Sequence, residues 1–437
     1  MIPPMTAPRA AAASVLIASA LALGTARAAA DPGTGWVSSW TASPQPVWDE
    51  GFLFPSTVPA HLQDQTVRQV ARLSLGGPRV RIVLSNAYGR QPLQIGRATL
   101  ALTAEDGALV PGSVREIGFG GQATATLAAG APLRSDPVAL PVPSLGRVTV
   151  SVYLPARSAL TTFHWDGRQR GWIVAGDQTG AVRLPAGAEA GLTTARPLLT
   201  GIEVETATPP VQAVAVLGDS ITDGAAASLD RDTRWPDLLA ERLAPRGVAV
   251  INAGISGGRL LSDGMGESAL RRLQRDVIDQ PGVGSVIVMI GINDIAWPGT
   301  AFAPEQPRPS LEALTAGYRQ LVAVAHRAGV RVIGMTLPPF EGALPGTPLA
   351  DYYHPDKDAL RLALNEWIRR AGAFDAVVDA DAVLRDPAHP ARLLARYDSD
   401  DHLHPGDEGN RALAEAIGLE LLVPGTARAS SHSPRKD

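Results

Sequence analysis

The 437-residue chain contains no cysteine. That absence excludes disulfides, thiol nucleophiles and thiolate metal sites together. Lysine is nearly missing as well, occurring only as Lys357 and Lys436, so the positive charge is arginine scattered along the chain. With a formal net charge of -4 and no clustered basic residues, a nucleic-acid or anionic-membrane partner is not expected. Beyond the N-terminal segment, uninterrupted apolar runs of the ~18 residues needed to span a bilayer are also lacking, so no stable membrane insertion is expected.

What is present is ordinary globular material: 45% hydrophobic and 19% charged residues, enough for two cores. Residues 1–30 are different in kind. Arg9 precedes an apolar stretch from about Ala10 to Leu23, followed by small residues up to Ala30. This is the pattern of a secretory signal peptide, cleaved near Ala28 or Ala30, and it predicts a secreted or periplasmic protein. Residues 425–437 read as a polar, disordered tail.

Two rhythms divide the remainder. From residue 31 to 205, period-2 runs such as "VRQVARLSL", "RVRIVLSN", "RVTVSVYL" and "GWIVAGD" alternate with Gly, Pro, Asn and Asp clusters. They predict a β-sandwich-like domain. After a candidate linker, "ETATPP" at 205–210, apolar strands alternate with helical stretches from 206 to 424. The strands are predicted at 213–217, 248–252, 285–290, 330–336 and 376–379, and the helices at 235–244, 310–329, 358–372 and 408–422. Near-continuous apolar strands separated by helices predict an α/β fold with a parallel sheet covered on both faces. Ligands of such sheets bind at the carboxyl ends of the strands.

The unusual residues collect at that edge. "GDSITDG" with Ser220 follows the first strand, "NAGISGGR" the second, and "GINDI" the third, while "DSDDHLHPGDEG" precedes the last helix. Taken alone, Ser220 is a helix cap, an anion ligand or a nucleophile. Asp219 and Asp223 oppose an anion, and no P-loop lysine follows. A nucleophilic serine needs a base and a group that orients the base. Asp401 and His404, three residues apart, can supply both. An oxyanion hole can be drawn from the backbone N–H groups of Ser220 and Gly257 and the side-chain amide of Asn293.

In this order, Gly218-Asp219-Ser220, Gly257, Asn293 and Asp401-x-x-His404 resemble the blocks of the SGNH, or GDSL, hydrolase superfamily. The likeness runs from 211 to about 423. The preceding "WVSSWTASPQ" and β-rich half also look like extended bacterial secreted esterases. The resemblance implies a flavodoxin-like three-layer α/β/α domain and hydrolysis of esters, commonly acetyl groups on carbohydrates or acyl groups on lipids. Ser220, Asp401 and His404 would be catalytic, and Ser220, Gly257 and Asn293 would form the oxyanion hole. The G-x-S-x-G elbow of α/β-hydrolases is absent around Ser220.

Other residues are assigned with weaker motifs. Trp297, Phe340 and Arg259 are candidate substrate-binding residues because they follow strand ends. Asp294 reads as structural. The acids and histidines of "DSDDHLH" offer metal ligands without H-E-x-x-H or EF-hand spacing, so no metal and no cofactor is expected. His402 is expected to pack or face solvent. His164, His354 and His389 lack a partnered carboxylate motif. Trp36, Trp40, Trp48, Trp165 and Trp172 are core residues or sugar platforms. The expected substrate is a small-molecule or polysaccharide ester, with acetylated carbohydrate preferred to lysophospholipid, lipid or aryl esters. A catalytically silent carbohydrate-binding protein is the alternative of another class. The sequence says nothing about oligomeric state.

Overall fold

The computed structural model describes residues 35–206 and 212–423. The leader, most of the candidate linker and the tail lie outside the described residues, whereas Glu205 and Thr206 continue a strand.

The first half is built around strands β1 (Gly35–Thr41), β2 (Gln65–Arg72), β3 (Gly77–Ser85), β4 (Arg97–Leu102), β5 (Arg147–Leu154), β6 (Gly171–Ala175) and β7 (Leu199–Thr206). β7 lies between β1 and β3 in a five-stranded sheet, and β2 and β5 are central in a six-stranded one. Every pairing among these strands is antiparallel. The alternation seen in the sequence has its usual cause, since successive side chains on a strand point to opposite faces. Val80, Ile82, Leu84, Ile202 and Val204 of one sheet share a buried core with Val67, Leu100, Val148, Val150 and Val152 of the other. The expected sandwich is therefore present.

The second half is built on five parallel strands: β8 (Gln212–Gly218), β9 (Val248–Gly254), β10 (Val283–Met289), β11 (Arg331–Met335) and β12 (Ala376–Val378). Their spatial order is β9-β8-β10-β11-β12. This is the flavodoxin-like doubly wound arrangement, in which the ligand crevice opens where the winding reverses, beside β8 and β10. Residues 213–217 are each at most 1% exposed, so both faces of the central strand are covered.

Among the helices are α1 (Ser220–Asp223), α2 (Trp235–Leu243), α3 (Ile292–Ala296), α4 (Leu311–Arg327), α5 (Pro355–Arg370) and α6 (Asp407–Ala416). α4 shows how sequence sets such an element. Ser310 Oγ caps it by accepting the Ala313 N–H at 3.2 Å. Leu314, Tyr318, Leu321, Val322 and Ala325 form its buried stripe. α5 begins three residues earlier than the periodicity predicts, because His354 caps it ahead of Pro355 at the first helical position. α6 ends at Ala416, and a separate 3-10 turn covers Leu419–Leu421 after Gly418.

The two halves belong to one compact unit. β1 packs beside β9, the edge strand of the parallel sheet. There the Val250 N–H donates to Ser74 Oγ at 3.0 Å, and Thr41 Oγ1 donates to the Asn252 carbonyl at 2.8 Å. The edge is thus occupied by groups from the β-rich half.

Candidate active site

β8 stops at Gly218, where a Cβ would lie 2.1 Å from Thr222 Oγ1 and 2.7 Å from the Met289 carbonyl oxygen. Only glycine lets the chain turn so tightly under the neighbouring strand. Asp219 then caps α1, its Oδ1 accepting the Ile221 N–H at 3.1 Å. Burial pushes the Asp219 carboxyl up to about 7, opposed by that hydrogen bond and by His404. Ser220 opens the single turn of α1, where N–H groups have no intrahelical acceptor. α1 closes at Gly224, whose φ of 101° suits glycine.

Opposite Ser220 stands the turn 401–404. Asp401 Oδ1 accepts the N–H groups of Leu403 and His404 at 2.9 and 2.8 Å, which bends the chain back on its own side chain. Its Oδ2 lies 2.6 Å from His404 Nδ1, and His404 Nε2 lies 2.8 Å from Ser220 Oγ. A carboxylate accepts only, so the proton is on Nδ1, and the Nε2 lone pair faces the serine hydroxyl. Burial would raise the Asp401 pKa, but the hydrogen bond from His404 and those from the two backbone N–H groups outweigh it. Asp401 is held well below the ordinary carboxylate range.

Asn293 sits in α3, after β10, and is 3% exposed. Its Nδ2 donates to the Gly258 carbonyl at 2.9 Å, and its Oδ1 accepts the Tyr352 hydroxyl at 2.7 Å. These two bonds set which end of the amide is nitrogen and leave one N–H of the NH2 group for another acceptor. Gly257 has φ 71°, and a Cβ there would lie 2.5 Å from Met265 Sδ and 2.8 Å from Trp297 Cζ2. Among the described residues its N–H donates to no protein acceptor. Asp294 accepts the N–H groups of Leu260 and Leu261 at 2.6 and 2.9 Å, fixing the chain after Gly258, and burial lifts its pKa to about 6.

The remaining candidates lie behind this surface. Trp297 is 3% and Phe340 0% exposed; Phe340 packs edge-on against Tyr352 and Tyr353. The Arg259 guanidinium lies over Trp297 and donates to Gln306 and the Asp263 carbonyl, so it staples its own loop. Phe302 stacks on Trp297 at 4.3 Å and meets Phe52 and Phe54, which lead to the half-buried Trp48 and Trp165. In "DSDDHLH" the two histidines take separate carboxylates, His402 pairing with Asp398 and facing solvent.

Sequence reasoning misses four participants. His164 does have a carboxylate partner: Nε2 is 2.9 Å from Asp223 Oδ1. Asp223, Ser256 and Tyr352 carry no spacing signal, because their partners are brought to them only by folding. The nearest clue to Asp223 is its place inside the same tight "GDSITDG" corner as Ser220.

A parallel sheet that presents a hydroxyl–imidazole–carboxylate chain at its carboxyl edge has the parts of a nucleophile-type site. Residues 216–412 match the model of the GDSL-like Lipase/Acylhydrolase family. The match covers somewhat less than half of the chain, and over that segment the chain is similar to the family. No curated protein matches the chain. Solved structures do. One is a catalytic mutant of an acetylxylan esterase from Geobacillus stearothermophilus, 25% identical over 48% of this chain and 94% of that chain, with a TM-score of 0.35. Another is a GDSL-like lipase from Bacteroides thetaiotaomicron VPI-5482, 19% identical over 49% of this chain and 89% of that chain, with a TM-score of 0.37.

Proposed function

We propose that the enzyme hydrolyses esters through an acyl-enzyme on Ser220. His404 Nε2 takes the hydroxyl proton as Oγ attacks the carbonyl carbon, and Asp401 stabilises the imidazolium that results. The tetrahedral oxyanion is met by the N–H groups of Ser220 and Gly257 and the free N–H of Asn293. Collapse expels the alkoxide, which leaves with the proton from His404. Water then repeats the sequence and frees the acid. The steps call for no cofactor.

The observation that carries this reading is the pair of contacts on His404, 2.8 Å to Ser220 and 2.6 Å to Asp401. Ser220→Ala is expected to abolish hydrolysis of p-nitrophenyl acetate and labelling by a fluorophosphonate while leaving the circular-dichroism spectrum unchanged. Activity retained in that variant, or lost entirely on chelation of metals, would refute it.

For substrate we favour short acyl or acetyl groups on carbohydrates. The leader-like residues 1–30 and the tryptophans of the β-rich half support an exported enzyme that meets polysaccharide. Acetate release from xylan and pectin, compared with p-nitrophenyl esters of rising chain length, tests this. Release only from long-chain esters would replace carbohydrate by lipid as the substrate class.

A further inference from the structure

His164 belongs to the β-rich half, between β5 and β6, and is 4% exposed. Its two ring nitrogens both face acceptors: Nδ1 is 3.0 Å from the Ser43 carbonyl oxygen and Nε2 is 2.9 Å from Asp223 Oδ1. Neither acceptor can donate when Asp223 is ionised, so a neutral imidazole would leave one nitrogen lone pair against an oxygen. Satisfying both contacts requires the imidazolium, paired with a buried carboxylate. Two other cations line this place: Arg234 is already held by both oxygens of Asp237 at 2.7 and 3.1 Å, and Arg196 donates to Gln169 Oε1 at 3.2 Å.

The second oxygen of Asp223 points into the other half. Oδ2 accepts the Ser256 N–H at 2.9 Å and the Ser256 hydroxyl at 2.8 Å. Ser256 immediately precedes Gly257. The same loop is held again at Met265, whose side chain backs Gly257 and whose carbonyl accepts Gln45 Nε2 at 2.8 Å. Gln45 Oε1 in turn accepts the Trp165 N–H at 2.9 Å, one residue from His164. Two neighbouring residues of the β-rich half therefore hold both sides of the turn that carries Gly257.

We propose that His164 is a positioning residue for the oxyanion site: as an imidazolium it holds Asp223, Asp223 holds Ser256, and the aim of the Gly257 N–H follows. This rests on the acyl-enzyme reading above and gives the β-rich half a part in the chemistry. An oxyanion donor acts on charge that develops in the transition state, so misaiming it lowers kcat and leaves KM nearly unchanged.

The test compares wild-type enzyme with His164→Ala, His164→Gln and Ser256→Ala on p-nitrophenyl acetate, beside Ser220→Ala. For His164→Ala, kcat is expected to fall on the order of 10-fold or more with KM within about threefold. Glutamine, which restores one donor toward Asp223, is expected to recover part of the loss. Ser256→Ala keeps the backbone contact and is expected to fall less than His164→Ala. A folded His164→Ala enzyme with wild-type kcat overturns the proposal, as does a loss that only tracks the unfolded fraction in a thermal melt. Should His164→Ala be insoluble, Ser256→Ala decides: wild-type kcat there overturns the proposal, and a lowered kcat at constant KM supports it. Activity that survives Ser220→Ala would instead refute the acyl-enzyme reading, so the two failures are distinguishable.

Discussion

Replacing Asn293 by alanine isolates one oxyanion donor. The side chain has three uses: one N–H to the Gly258 carbonyl, Oδ1 to the Tyr352 hydroxyl, and one N–H left for substrate. Loss of a single oxyanion donor typically costs ~2.7–4 kcal/mol, or roughly 10²–10³ in kcat. The first two bonds bear on stability, because the variant strands a buried carbonyl and a buried hydroxyl at about 1–3 kcal/mol each. Tyr352→Phe separates the effects. It removes only the bond that orients the amide, worth about 0.5–1.5 kcal/mol, and should lower kcat no more than roughly tenfold. Steady-state hydrolysis of p-nitrophenyl acetate, with urea unfolding of each variant, measures both quantities. If Asn293→Ala keeps kcat within about threefold of wild type, or loses activity only through KM, the amide is not an oxyanion donor and the reasoning fails.

Gly257→Ala should lose about 1–2 kcal/mol of stability from its left-handed backbone alone, and kcat with it, since the new Cβ meets Met265 and Trp297; an unchanged urea midpoint would contradict the geometry. The Asp401 pKa is lower folded than unfolded, so its stabilisation is present above the ordinary value of 3.8 and is lost as pH falls. The midpoint gap between wild type and Asp401→Asn should therefore be wider at about pH 7 than at about pH 3, and the reverse order would refute the sign. For His164, burial acts to lower the pKa, but Asp223 and the Ser43 carbonyl raise it above 6.5 overall. Its stabilisation is present below that value and lost as pH rises, so the gap to His164→Ala should narrow on the alkaline side. Arg361, fully buried between Asp358 and Asp381 at 2.7 Å each, should cost about 3–5 kcal/mol when changed to methionine, read as a lower urea midpoint at constant slope.

The parallel sheet and its reactive edge are legible in the chain because they rest on local signals. Apolar strands, helical stripes and four short blocks each declare themselves within a dozen residues, and the strand order then brings Ser220, Asn293 and His404 to one edge. The helix ends are less legible, since they turn on caps such as His354 and on breaks such as Gly418. His164 illustrates the rest. Its partner is 59 positions away in the other half, and no periodicity or spacing relates them. Phe340 and Trp297 follow strand ends as a pocket wall would, yet both are buried, because the same ends also anchor the core beneath the crevice.

The occupied edge of β9 has a consequence for anyone who dissects the protein. Cutting away the β-rich half would bare a row of unpaired strand groups beside a newly exposed apolar surface, a template on which a second copy could add. The family-matching segment expressed by itself is thus expected to self-associate, and its low activity would then report stickiness and a slack oxyanion loop together. Enzyme engineers who trim chains to the recognisable hydrolase would discard the part that covers this edge.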